Sequence, residues 1–98
     1  MNKPDFIIKE NSWLAKIAAK KLRSTNVAMV FGKKIHLFGV TKTDFLADEK
    51  WLKHELCHIK QFKQYGFFNF VVRYLWESLR KGYYNNRFEM EARNAEAL

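Results

Sequence analysis

The chain has few of the residues that cross-link a fold or interrupt it: one cysteine, one proline and four glycines among 98 residues. A single cysteine excludes a disulfide within the chain and is typical of a reducing compartment. With 48% hydrophobic and 16% aromatic residues, the composition also excludes the disordered and low-complexity classes. We therefore expect one small folded domain over residues 1–98.

Long hydrophobic runs are also missing. A membrane-spanning helix needs roughly 20 apolar residues, and the best candidate, GFFNFVVRYLWESL (66–79), is short and is interrupted by Arg73 and Glu77. The first residues, MNKPDFIIKENS, lack the apolar core of a secretory signal. The sequence thus predicts no membrane span and a cytoplasmic location.

Positive charge exceeds negative charge, with a formal net charge of +8. Such a charge can serve an acidic partner, nucleic acid or an anionic membrane surface. The lysines are scattered and form no long block, so we interpret the charge as a basic solvent-exposed surface. Nucleic acid is not the partner we expect.

Hydrophobic periodicity predicts an α+β chain: a helix, a β-hairpin and three further helices. The helix from 67 places six apolar residues on one face, which we expect to be core: Phe67, Phe70, Val71, Tyr74, Leu75 and Leu79. The predicted elements are a helix from Asn11 or Ser12 to about Arg23, strands around Gly32 with KIHLF as the second, a helix from Asp48 to Tyr65, one over Phe67–Lys81, and one from Asn85 or Asn86.

The stretch KHELCHIKQF (53–62) contains two of the three histidines. His54 and His58 are four residues apart, so on a helix both imidazoles can point at one metal ion. Glu55 lies about 100° around the helix, where it can act on a water as general base. H-E-x-x-H is the spacing of zinc peptidases; the alternative is that both histidines are ordinary core or surface residues.

A catalytic zinc site needs a third protein ligand, and no histidine follows His58. The longer motif with a third histidine is excluded, because Gln61 and Gln64 stand at its Gly and His positions. The third ligand is therefore expected to be a carboxylate from the last helix. The three candidates are Glu89, Glu91 and Glu96.

Of these, Glu89 is the predicted ligand. It shares a helix face with Ala92, whose small side chain allows the close approach of two helices. Glu91 points nearly the opposite way and is kept as the alternative ligand. Glu89 also has a structural interpretation, as part of a capping box with Asn86 or an ion pair with Arg93.

Two other residues able to bind metal have structural interpretations. Cys57, within the same turn, is interpreted as a small packing residue. His36, alone in a predicted strand, is interpreted as a structural or surface residue, with lining of the cleft as the alternative.

With these residues the chain resembles the gluzincin branch of zinc metallopeptidases, in which H-E-x-x-H is completed by a Glu on a later helix. RFEMEARNA (87–95) is similar to the E-x-x-A-D segment of membrane-embedded prenyl-protein and heat-shock peptidases, with Glu89 and Ala92 at the Glu and Ala and Arg93 in place of the Asp. The chain looks closer to small bacterial proteins of predicted metallopeptidase type, which carry H-E-L-x-H-x-x-Q and a late E-x-E-A.

The resemblance implies a minimal zincin-like domain: an N-terminal helix, a hairpin, the H-E-x-x-H helix and two C-terminal helices. It also implies one zinc ion and a peptide or protein substrate. Strand 34–38 would be the edge strand on which an extended substrate pairs. Glu55 would activate the water and pass its proton to the leaving amine.

Helper residues are less defined. Gln61, two turns beyond His54, is interpreted either as hydrogen-bonding support for a ligand or as a polar residue between helices. An electrophilic helper for the oxyanion is expected. Tyr84 is the one we name, with Tyr83, Arg87 and Arg93 as other candidates.

We therefore predict a zinc-dependent peptidase, a hydrolase whose activity could require a partner. The first alternative is a non-catalytic zinc-stabilised interaction module with a basic surface. The second is a basic nucleic-acid-binding protein in which the motif arose by chance.

Overall fold

The computed structural model describes residues 6–98, and its class is α+β, with five helices and one three-stranded sheet in this range. The chain divides into two compact units. The N-terminal unit extends to Asp48 and the C-terminal unit covers Glu49–Leu98. The single domain expected over residues 1–98 stays a prediction.

The N-terminal unit contains the sheet and two helices. Its strands have the order β1-β3-β2, in which β3 pairs antiparallel with β2 and parallel with β1. Neither β1 nor α2 was predicted, because β1 has three residues and α2 has six, too few to show periodicity. The elements are β1 (Ile7–Lys9), α1 (Trp13–Leu22), β2 (Val27–Phe31), β3 (Lys34–Phe38) and α2 (Lys42–Ala47).

The predicted hairpin is confirmed, but the prediction that its second strand is an edge strand is wrong. β3 lies between β1 and β2, so its backbone hydrogen bonds go to strands of its own sheet. Ile35, His36 and Leu37 are all buried, as expected for a central strand covered on both faces. Extended substrate therefore has no open edge to pair with on this strand.

Helix α1 packs on the sheet through small residues. Ser12 is its N-cap and accepts a hydrogen bond from the backbone of Ala15, and Ala15 and Ala19 form a buried cluster with Val27. The Ser12 hydroxyl also lies 2.7 Å from His36 Nδ1. His36 therefore has the structural position that the sequence favoured.

The C-terminal unit consists of three helices whose starts agree with the predicted ones, while the second runs to Asn85, past its predicted end near Lys81. Gly66, with a positive φ of 82°, separates the first two, and Gly82 breaks the regular geometry of the second near its end. Among residues 6–98, no helix is long and apolar enough to cross a membrane. The helices are α3 (Glu49–Tyr65), α4 (Phe67–Asn85) and α5 (Arg87–Ala95).

Three phenylalanines, one from each helix, form the aromatic core of this unit. The ring of Phe70 lies 4.5 Å from that of Phe62 and 5.0 Å from that of Phe88, centroid to centroid. The predicted core face of α4 is confirmed at Phe70 but is wrong at Phe67, Leu75 and Leu79, which are exposed. The buried face of α4 also includes Glu77, a residue that a hydrophobic pattern does not reveal.

Gly39 provides a test of the N-terminal unit. A Cβ there would lie 1.9 Å from the carbonyl oxygen of Thr25, and φ is +76°. Gly66 also has a positive φ, but a Cβ there would meet nothing within 4 Å. We expect Gly66→Ala to cost about 1–3 kcal/mol for backbone strain alone, and Gly39→Ala to cost on the order of 4 kcal/mol or more. Thermal unfolding followed by circular dichroism checks this, and equal losses in melting temperature would contradict it.

Candidate metal centre

Two adjacent turns of α3 and the first turn of α5 bring three potential metal ligands together. His54 Nε2 lies 3.0 Å and His58 Nε2 3.1 Å from the same oxygen, Oε1 of Glu89. The two imidazole rings are 5.1 Å apart, centroid to centroid. One ligand atom from each residue lies within 4.8 Å of the other two. The structure therefore groups the three residues predicted as ligands.

The start of α5 aims Glu89 at the histidines. Asn86, fully buried, is the N-cap and accepts from the backbone N–H of Phe88 at 2.8 Å. Its amide group donates to Tyr74 O and to Ser78 Oγ, which fixes the beginning of α5 against α4. The backbone N–H of Asn86 donates to Tyr83 O, so the reciprocal capping box with Glu89 does not form.

Ala92 has the role predicted for a small residue. It is fully buried, and it lies three residues after Glu89 on the same face of α5. Because its side chain is one methyl group, α5 can approach its neighbours closely enough for Glu89 to reach both imidazoles.

The carboxylate of Glu89 is held in its charged form. Burial alone would raise its pKa, but hydrogen bonds with His54, His58 and Tyr74 bring the pKa well below its usual range. The Tyr74 hydroxyl donates to Oε2 at 2.5 Å. Glu89 is thus an anion with Oε1 facing the two histidines and Oε2 engaged by the tyrosine.

His54 lies between two carboxylates. Its Nδ1 is 2.7 Å from Glu96 Oε2, on the side of the ring opposite Glu89. Burial lowers the pKa of His54, but the hydrogen bonds to Glu89 and Glu96 and the charge of Glu55 raise it to about 9. Without metal, this histidine is a cation at neutral pH. A metal ion binding at Nε2 would replace a proton, while Glu96 would keep the Nδ1 proton and the orientation of the ring.

His58 is oriented by an amide group. Gln61 Oε1 accepts from His58 Nδ1 at 2.8 Å, and Gln61 Nε2 donates to Phe88 O at 3.1 Å and to Glu91 Oε1 at 2.8 Å. Because the amide nitrogen is committed to two acceptors, the amide oxygen must face the imidazole. The pKa of His58 is lowered by burial but raised more by Glu89 and Glu55. Gln61 therefore contacts a candidate ligand, as one of its two interpretations required.

Glu55 is almost fully buried on α3 beside this group. Burial raises the pKa of its carboxyl group, the charges of His58 and His54 lower it, and the resulting pKa is about 7. A carboxyl group with a pKa near neutrality can take up and release a proton at that pH. This is the property that a general base needs.

Several sequence candidates are not brought to the group. The Glu91 carboxylate accepts a hydrogen bond from Gln61 and lies 3.8 Å from Cys57 Sγ. The residue kept as the alternative ligand thus contacts Gln61, the residue that orients His58. Cys57 itself is half-buried. Tyr84 is exposed, its carbonyl oxygen accepts from the Arg93 side chain, and its ring lies 4.2 Å from that guanidinium.

Two contacts of the site were not predicted: Glu96 with His54 and Tyr74 with Glu89. Tyr83 was one of the other candidate helpers, and its pKa is raised by burial and by the charges of Glu89 and Glu55. A signal did exist for Glu96, which follows Glu89 by seven residues and so falls on the same face of α5.

The donor set fits zinc. Two imidazole nitrogens and one carboxylate oxygen form a known catalytic zinc set that leaves a fourth position open. Tetrahedral ligands about 2.0–2.1 Å from zinc are roughly 3.3 Å from one another, close to the 3.0 and 3.1 Å found here. The two imidazole nitrogens also distinguish this set from the purely oxygen sites of magnesium or calcium.

Compared with protein-family models, curated proteins and solved structures, the chain matches none of them. The gluzincin resemblance therefore stays a prediction from the motif and from the late glutamate.

Glu89 and Glu91 give a matched pair of variants for the metal site. We expect about one zinc ion per chain in the wild type. Glu89→Ala removes a proposed ligand and should weaken zinc binding by several orders of magnitude, while Glu91→Ala should keep the stoichiometry. Competition with a chromophoric chelator measures both affinities. Equal zinc binding in Glu89→Ala and the wild type would contradict the assignment.

Gln61 and Glu96 contact the Nδ1 atoms of the two histidines. Changing them should alter the affinity for zinc but not the number of zinc ions bound. Gln61→Ala and Glu96→Ala each remove the partner of an Nδ1 proton, and we expect zinc affinity to fall by about 10–100-fold in each. Gln64→Ala, at an exposed position on the same helix, is the control and should bind as the wild type does. If Gln61→Ala and Glu96→Ala also bound as tightly as the wild type, these contacts would have no role in orienting the ligands.

Proposed function

We propose that the chain is a zinc-dependent peptidase of the gluzincin type, with His54, His58 and Glu89 as ligands and Glu55 as general base. One observation carries the proposal: the two histidines of H-E-x-x-H and a glutamate from a separate helix converge on one point. The buried Glu55, with its pKa near neutrality, supports a catalytic over a purely structural site.

When bound, zinc supplies a Lewis acid that polarises a carbonyl group and makes water a nucleophile near neutral pH. Glu55 takes a proton from the attacking water and returns it to the leaving amine, so it ends the cycle in its starting form. Glu96 and Gln61 keep the two imidazoles in the tautomer that leaves Nε2 available. The substrate of this chemistry is a peptide bond.

Tyr83 replaces Tyr84 as the proposed helper for the oxyanion. The charges of Glu89 and Glu55 act on its pKa, and its side chain is half exposed, so a substrate can contact it. The raised pKa keeps the hydroxyl protonated and able to donate a hydrogen bond, as stabilisation of a developing oxyanion requires.

A non-catalytic, zinc-stabilised interaction module is the second candidate. The three ligands come from α3 and α5, so a metal ion would link two helices and stabilise the C-terminal unit. A structural site of this kind has no use for Glu55. The two candidate functions therefore differ in what Glu55 does.

Glu55→Gln separates them, because glutamine keeps the shape of the side chain but cannot take up a proton. We expect zinc binding to persist and peptide cleavage to fall by about 10²–10⁴-fold. A mixed peptide library read by mass spectrometry, with and without a chelator, measures cleavage. Glu49→Gln, at an exposed position in the first turn of α3, is the matched control.

Chelator-sensitive cleavage by Glu55→Gln at the wild-type rate would contradict the assigned base. No cleavage of any library peptide by zinc-loaded wild type, together with a melting temperature that rises on zinc binding, would favour the interaction module.

A further inference from the structure

Helix α4 carries an apolar face that the C-terminal unit does not use. Five large residues on this face are each at least 58% exposed. Their spacing of 4, 3, 1 and 3 residues places them within an arc of about 100° on the helix surface. We call them the α4 stripe: Phe68, Val72, Leu75, Trp76 and Leu79.

The opposite face of α4 already packs on the core. Phe70 is buried among aromatic rings, and Tyr74 reaches Glu89. The stripe is therefore a second apolar surface and not a misplaced part of the core. Contiguous exposed apolar surface of this kind marks an interaction site.

The charges of α4 indicate what the stripe meets. Arg73 and Arg80 are exposed and lie beside the stripe on one flank, and Lys81 is also exposed. The single acidic residue of the helix, Glu77, is buried, accepts from the backbone of Arg87 and pairs with Lys81 at 3.4 Å. The solvent-facing side of α4 thus presents apolar and positive groups and no negative one.

An anionic lipid surface fits this arrangement better than other occupants. A second copy would bring Arg73 and Arg80 close to their equivalents, with no acidic residue on the helix to compensate. Single-stranded nucleic acid is bound by stacking on aromatic rings, whereas Val72, Leu75 and Leu79 have no ring. A helix with bulky apolar residues on one face and arginines at its border is typical of an interfacial membrane helix.

We propose that α4 lies along the surface of an anionic bilayer, with the α4 stripe in the boundary between headgroups and acyl chains and Arg73 and Arg80 at the phosphates. Trp76 suits this depth, because its ring is apolar and its N–H remains hydrogen-bonded. The proposal goes beyond the metal site and does not depend on it.

Sedimentation of the full chain with vesicles tests the proposal. We expect binding to vesicles of phosphatidylcholine with phosphatidylglycerol and much weaker binding to phosphatidylcholine alone. Leu75→Gln and Leu79→Gln should each reduce the partition coefficient by on the order of tenfold or more. Arg73→Gln and Arg80→Gln should each reduce it about fivefold. Leu22→Gln, an exposed leucine in α1, is the control and should bind as the wild type does.

Trp76 gives an independent readout that does not require the stripe to be altered. In a Trp13→Phe/Trp51→Phe variant, Trp76 is the only tryptophan left. We expect its emission to shift to shorter wavelength when anionic vesicles are added, as the ring leaves water.

Four results would overturn the proposal. The first is no sedimentation with anionic vesicles at low salt, and the second is sedimentation without any shift of Trp76 emission. The third is unchanged binding by Leu75→Gln and Leu79→Gln. The fourth is a wild-type dimer in analytical ultracentrifugation that these two variants convert to a monomer, which would assign the stripe to a second copy.

Discussion

The C-terminal unit depends on the burial of one negative charge, the carboxylate of Glu89. A buried carboxylate is stable only when charged and hydrogen-bonding groups surround it. Here two imidazoles face one oxygen and a tyrosine hydroxyl faces the other. These partners come from α3 and α4, while Glu89 is on α5, so the compensation of a single charge ties the three helices together.

The same charge explains why the site suits a metal ion. The hydrogen-bonded state requires protons on both Nε2 atoms, and the hydrogen bonds to Glu89 raise the pKa values of His54 and His58 against the opposing effect of burial. A divalent cation carries the same total positive charge as the two protonated imidazoles. When it takes their place beside the carboxylate, both imidazoles are neutral. Glu96 and Gln61 hold the Nδ1 atoms of the two rings, so the ligands would need little rearrangement to bind a metal ion.

Local signals in the sequence predict most elements of the structure. Ser12, Gly66 and Asn86 mark helix boundaries because capping and positive φ depend on near neighbours. The pair His54 and His58 was predictable for the same reason, since the pitch of a helix fixes their spacing. Glu89 was predictable from the need for a third ligand, the lack of a later histidine and the face it shares with Ala92, and the resemblance to known peptidases favours the same residue.

Features that depend on long-range packing could not be predicted in this way. β1 turns β3 into a central strand, and three residues give no periodic signal for it. Leu75 and Leu79 fit a core pattern, yet α4 turns the buried Glu77 inward and leaves both leucines outside. Tyr74 became visible as a partner of Glu89 only in the packing of α4 against α5.

X-ray absorption at the zinc edge of the metal-loaded protein tests the central claim most directly, because it reports the ligand atoms without requiring a substrate. The proposed site predicts nitrogen and oxygen ligands at about 2.0–2.1 Å, with the multiple-scattering signature of two imidazoles and no sulfur. A sulfur ligand near 2.3 Å would place the metal at Cys57, and a signal without imidazole would exclude His54 and His58. Either result would contradict the account.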